Sequence, residues 1–147
     1  MRNPLLLLLL LATACGGSDD LAGPTHADVG GAWRITFANM SGSGATCNSS
    51  TGNLTLTHSG ATGFTGSYGP LTLSCTDGVD SFSGTFQGTV VNGTVNQNTV
   101  AFDLDTQDVH QTGTVSGATM SGSAQWDVNA PGGGSFTLNG NWSAEKQ

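Results

Sequence analysis

Few side chains in this chain are equipped for chemistry, and most of those are carboxylates. Asp103 and Asp105 flank Leu104, so on an extended strand they share one face about 7 Å apart. Paired carboxylates at such a distance perform acid–base chemistry on sugars when buried among aromatic rings. Here they sit beside Thr106 and Gln107, and Asp105 to Asp108 reads more simply as a solvated hairpin. Asp103, Asp105 or Asp108 with His110 would give an oxygen-rich cation site, yet the ordered Cys/His spacing of structural zinc is missing. His26 falls in a polar leader segment, His58 on the apolar face of a strand near its end, and His110 on a polar face. The many serines include none in a nucleophile elbow, and there is no phosphate-binding loop and no CxxC. With so few titratable groups, the expectation is a non-enzymatic protein that needs no cofactor and no metal.

Charge narrows the partners. The sequence holds three Lys/Arg against ten Asp/Glu, and beyond Arg2 the only basic residues are Arg34 and Lys146. Nucleic-acid binding depends on cations that neutralise phosphates, so this composition excludes it, and it disfavours anionic lipid head groups for the same reason.

The three cysteines divide by position. Met1 to Ala14 has a positive start at Arg2, an unbroken apolar run from Leu5 to Leu11, and small residues before Cys15. That run is shorter than the roughly 20 residues a membrane-spanning helix needs, and it suits the apolar region of an export signal. Export places Cys47 and Cys75 in an oxidising compartment, where an even pair is expected to bridge. The bridge would close a loop of just under thirty residues and stabilise by roughly 3 to 4 kcal/mol in the chain-entropy model. Two free thiols or a metal pair are the alternatives.

The segment Leu11-Ala12-Thr13-Ala14-Cys15 resembles the lipobox of bacterial lipoproteins, although Leu usually stands three places before the Cys and here that place is Ala12. The resemblance implies cleavage after residue 14, diacylglycerol on the Cys15 thiol and acylation of the new amino group. Several acyl chains together would anchor the protein stably in a membrane. Gly16 after the Cys is similar to the pattern that sorts lipoproteins to the outer membrane. Residues 15–29, which hold Gly16, Gly17, Ser18, Asp19, Asp20, Gly23 and Pro24 and no apolar period, then form a tether, and 30–147 form the domain.

The elements that must position any site are strands. Apolar and polar residues alternate in Trp33-Ile35-Phe37, Leu54-Leu56-His58, Val100-Phe102-Leu104, Ala124-Trp126-Val128 and Phe136-Leu138. Strands are expected over 32–39, 52–59, 62–74, 81–90, 91–96 running on into 98–106, 109–117, 119–128 and 134–144, with one long loop from Asn39 to Thr51. A polar-Gly-polar-apolar unit recurs, as in Thr112-Gly113-Thr114-Val115 and Ser121-Gly122-Ser123-Ala124. It puts each glycine on the apolar face, where a sheet that curls on itself needs close approach. Asn92-Gly93 is also a strong hairpin pair. Short links force an antiparallel up-and-down meander of about eight strands, closed or flattened into an all-β barrel. An outer-membrane barrel would face these apolar and glycine positions to lipid; the expectation is that they form the core.

Gly31-Ala32-Trp33 opening the first strand and Trp142 followed by Lys146 in the last resemble the calycins, the group of lipocalins and avidins; Phe64-Thr65-Gly66-Ser67-Tyr68 is similar to the second avidin hairpin. The lipocalin helix and the polar biotin ligands are missing, so no binding residue carries over. The expectation is a lipid-anchored cell-envelope protein whose barrel binds a small apolar ligand among Trp33, Phe37, Phe86, Phe102, Trp126 and Trp142. The alternative is a module with a fully packed core that contacts an envelope protein.

Overall fold

The computed structural model describes residues 26–105, 108–129 and 135–147. The expected signal, Cys15 and most of the expected tether lie outside the described residues, as do Thr106 and Gln107.

Nine antiparallel strands form one sheet: β1 (Gly31–Gly42), β2 (Ala45–Cys47), β3 (Ser50–His58), β4 (Gly63–Thr76), β5 (Ser81–Asn96), β6 (Thr99–Leu104), β7 (Val109–Ser116), β8 (Thr119–Asn129) and β9 (Ser135–Lys146). Each of β3 to β9 pairs with the next, and β1 pairs with both β3 and β9, so the hydrogen bonds run in a ring. β2 and β3 occupy one position in that ring. β3 pairs with β1 through Gly31 to Phe37, and β2 continues the same track beside Ser41 and Gly42. The track is interrupted only at Asn48 and Ser49, so the ring is eight positions round while the strands number nine.

The alternation has the physical meaning expected of it. Trp33, Ile35, Leu54, Val95, Val100 and Leu138 are wholly buried in one core, and the outer wall is hydroxyl-rich. Thr36–Thr51, Thr72–Thr85, Ser74–Ser83 and Thr112–Ser123 pair their hydroxyls across neighbouring strands at 2.8 to 3.1 Å. The repeated glycines allow the wall to close. Gly113 and Gly122 face each other across β7 and β8, and a Cβ on Gly122 would fall on the Thr112 carbonyl oxygen. A Cβ on Gly113 would strike the Trp142 ring at 2.9 Å, so that ring packs where only glycine fits.

Three boundaries differ from the sequence reading. Residues 39–51 are not one long loop: β1 runs on to Gly42, and a two-residue turn at Ser43 (φ 50°) and Gly44 (φ 85°) leads into β2. Positive φ at both central residues is the hairpin geometry that matches strand twist. Next, 91–96 belongs with the strand before it. Asn92 takes φ 54° inside β5, where the register to β6 shifts between Val91 and Thr94, so Asn92-Gly93 makes a bulge and the turn falls at Gln97-Asn98. Finally, residues 26–29, read as tether, pack on the barrel. Val29 is fully buried and accepts a hydrogen bond from Trp33 Nε1 at 2.9 Å, while Ala27 N donates to the Gln97 carbonyl at 2.7 Å.

An up-and-down barrel has two ends. At one, the strap 26–30 meets the turns 59–62, 97–98 and 117–118; at the other lie β2, the disulfide, the turn 77–80, the end of β6 and the start of β7.

Candidate functional site

The six aromatic residues expected to line a ligand site divide between these ends. At the strap end, Trp33 and Trp142 are buried, and Trp142 Nε1 donates to the Thr112 carbonyl at 3.1 Å. Phe102 meets the Trp142 ring edge-on at 5.2 Å and the Phe64 ring at 5.9 Å. The Lys146 ammonium lies 5.4 Å from the centre of the Trp33 ring. These rings pack against one another or against the core in the interior and satisfy their own polar atoms.

Phe37, Phe86 and Trp126 line an apolar cavity of about 40 Å³ at the disulfide end. Phe86 stands edge-on to Trp126 at 5.4 Å, and the partly exposed Phe82 approaches the same ring at 6.5 Å. Tyr68, Leu71 and Leu73 of β4 and Leu104 and Val109 at the β6–β7 turn complete the wall. Leu71 and Leu73 fall within the expected strand 62–74, whereas Met40 lies beyond the expected end of the first strand. Ser50 also lines the cavity: it is 3 % exposed, and its Oγ has no hydrogen-bond partner among the described residues. About 10–15 Å³ of such space holds one water and about 150 Å³ holds benzene, so this cavity suits a group of a few atoms. Pockets for drug-sized ligands run from about 300 Å³ upward.

The wall beside the cavity is stapled. Cys47 and Cys75 are direct cross-strand partners of β2 and β4, joined by a disulfide with a Cα–Cα distance of 3.9 Å. Asn48 N continues the pairing by donating to the Ser74 carbonyl at 2.9 Å.

Carboxylates crowd this end. Asp77 Oδ1 accepts from Asp80 N at 2.8 Å and Val79 N at 2.9 Å, and these amides hold its carboxyl below the ordinary range. Asp105 accepts from the Thr89 amide at 3.0 Å and from the Thr89 hydroxyl. Asp127 accepts from Thr137 Oγ1 at 2.7 Å. Asp103 joins His110 Nδ1 at 2.7 Å and Asn92 Nδ2 at 2.7 Å. The hydrogen bond to Asp103 is the main reason the His110 imidazole is held above its ordinary pKa. At the strap end Asp28 accepts from His58 Nε2 at 3.0 Å, Gly30 N at 2.9 Å and Lys146 Nζ at 3.3 Å. The His58 bond, then the Gly30 amide and Lys146, lower the Asp28 carboxyl to about 2.

Both histidines thus meet a carboxylate, but neither lines the apolar cavity; His110 is on the outer wall and His58 at the strap. Asp105 turns to Thr89 rather than joining Asp103. Among the described residues no three His, Cys, Asp or Glu side chains are grouped to hold a metal ion.

Comparison of the chain with protein-family models, with curated proteins and with solved structures found no match.

Proposed function

We propose that this is a lipid-anchored protein of the bacterial cell envelope, held at Cys15 on the periplasmic or outer face of the outer membrane, and that its barrel is a non-catalytic binding module. The observation that carries this reading is the position of the apolar cavity: it lies at the end of the barrel opposite the strap where the chain enters from its amino terminus. A tether fixed at the strap end leaves the cavity end free to meet a ligand. The lipobox-like run before Cys15 and the polar residues 16–25 supply the anchor and the spacer.

What binds is a small apolar group. Three heavy atoms at the ceiling of about 1.5 kcal/mol each give about 4.5 kcal/mol, a Kd of roughly 0.5 mM. Such a group therefore binds usefully as one part of a larger molecule. The packed strap end favours the second reading to the same degree, a contact module whose buried rings only hold the wall in shape.

The anchor is tested by metabolic labelling with palmitate. Label is expected on the wild-type chain and absent from Cys15→Ala; label that persists in Cys15→Ala rejects the anchor. Binding is tested by native mass spectrometry of the chain extracted from membranes. A bound adduct that disappears on filling the cavity with Ser50→Leu supports the reading, and a uniformly bare chain together with no response to small aliphatic probes rejects it.

A further inference from the structure

Every Lys, Arg, Asp or Glu between residues 35 and 144 is an aspartate: Asp77, Asp80, Asp103, Asp105, Asp108 and Asp127. The topology brings them towards one end. Asp77 and Asp80 form the β4–β5 turn, Asp105 and Asp108 flank the β6–β7 turn, and Asp127 stands near the end of β8. Three of them adjoin cavity-lining residues in the chain: Asp105 follows Leu104, Asp108 precedes Val109, and Asp127 follows Trp126. Arg34 and Lys146 are placed at the strap side, with Arg34 opposite Glu145 and Lys146 on Asp28, so among the described residues no Lys or Arg stands at the cavity end, where His110 pairs with Asp103.

The large hydrophobic side chains left exposed among the described residues are at the same end. Val79 is 91 % exposed at the tip of the β4–β5 turn, and Phe82, 39 % exposed, leads from that turn towards Trp126 and the cavity. Ser50, whose Oγ has no hydrogen-bond partner among the described residues, lines the cavity wall. Apolar surface rimmed by charge of one sign is the complement of a chain that alternates cationic and apolar side chains.

We infer that the cavity end docks a cationic polypeptide segment, which seats one aliphatic side chain between Phe37, Phe86 and Trp126 and sets its Lys or Arg residues against the aspartate rim. This inference rests on the cavity being the binding site and names its partner. The cavity size selects a Val- or Leu-sized side chain over an aromatic one, and the rim selects its neighbours. The partner gains from the carboxylates what three apolar atoms cannot supply alone, and the attraction weakens with salt because the rim is exposed.

The test uses the full chain in zwitterionic detergent micelles, titrated by calorimetry with synthetic peptides of alternating Lys and Gly that carry one central Leu. The Leu peptide is expected to bind at low ionic strength at least about tenfold tighter than its Leu→Ser counterpart, with a Glu-for-Lys counterpart silent. Ser50→Leu, which fills the cavity, should reduce the Leu peptide to the affinity of the Ser peptide. The Asp77→Asn, Asp80→Asn, Asp108→Asn variant should remove most of the salt dependence; both variants are checked for an unchanged near-ultraviolet circular-dichroism spectrum and melting midpoint. If either is misfolded, the peptide series on the wild-type chain still decides. Equal binding of Leu and Ser peptides overturns the seated side chain. Equal binding of the Lys and Glu peptides overturns the cationic partner while leaving the apolar cavity as a binding site. Failure of all peptides in a protein that still binds butane-sized neutral probes overturns the docking inference alone, and failure of both overturns the binding reading itself.

Discussion

The two ends of this barrel are built from the same strands and solve different problems. At the strap end the connections are short and uncharged, 26–30 packs on the barrel, Phe102 meets Phe64 and Trp142 edge-on, and the Trp33 and Trp142 indole N–H groups are both satisfied. At the other end the connections carry aspartates, a disulfide staples the wall beside the Phe86 and Trp126 rings, and the interior retains about 40 Å³ of apolar space. Closing the sheet into a ring leaves the side chains to decide whether the interior is filled. The difference teaches that barrel closure and barrel filling are separate properties of one alternating pattern.

The largest expected effect breaks the filled end. Phe102→Ala removes a fully buried ring that touches Phe64 and Trp142 and should cost about 3 to 5 kcal/mol, read as a shift in the urea midpoint. Phe86→Ala, half-buried beside existing space, should cost about 2 kcal/mol less. Equal costs would mean that the ends do not differ in packing.

Next comes the staple. Reducing Cys47–Cys75, which closes a separation of 28 residues, should cost about 3 to 4 kcal/mol. Hydrogen exchange should quicken first at the Asn48 amide and along β2, with the amides near Trp33 retaining their protection. Uniform loosening would show that the disulfide end is not a separate unit of stability.

Gly122→Ala tests the close approach of β7 and β8. Its Cβ meets the Thr112 carbonyl and the Gly113 Cα, and a cost of about 1 to 3 kcal/mol is expected by thermal melting. Ser50→Ala should act in the opposite sense, raising stability by about 1 kcal/mol, because it removes a buried hydroxyl with no partner among the described residues.

The smallest effects are electrostatic. Asp28 has a folded pKa of about 2 against an ordinary 3.8, so its contribution is complete above the ordinary value and is lost as pH falls towards 2. Asp28 is 73 % exposed, and solvent screening keeps the effect to about a few tenths of a kcal/mol. His110 runs the other way: its raised pKa stabilises at pH below 6.5 and the gain is lost as pH rises through the folded value. Asp28→Asn and His110→Gln should each flatten only its own limb of the stability profile.

Much of the fold was legible in the chain because period-two alternation has one physical reading once helices are ruled out by the same pattern. Ile35, Leu54, Phe102 and Leu138 went to the interior for that reason, and the glycines opposite Gly113 and beneath Trp142 marked where the wall would curl. The misreadings share a cause. Asn92-Gly93 supports positive φ equally in a turn or in a bulge, and only the pairing with β6 decides. Val29 is one apolar residue in a polar leader, and nothing local announces that Trp33 will hold it. The site was half legible: the aromatic residues expected on the inner face are buried or half-buried, but alternation does not say which of them touch one another and which border space. Phe37, Phe86 and Trp126 became cavity lining through their height along the barrel, which depends on register rather than on residue type.

Solution NMR of the chain under xenon pressure tests the unequal filling most directly, since one xenon atom is matched to a small apolar void. Backbone and methyl shifts should respond around Leu71, Leu73, Phe86 and Trp126, with Trp33, Val100 and Trp142 silent. Shifts at the strap end, or none at the disulfide end, would contradict the account.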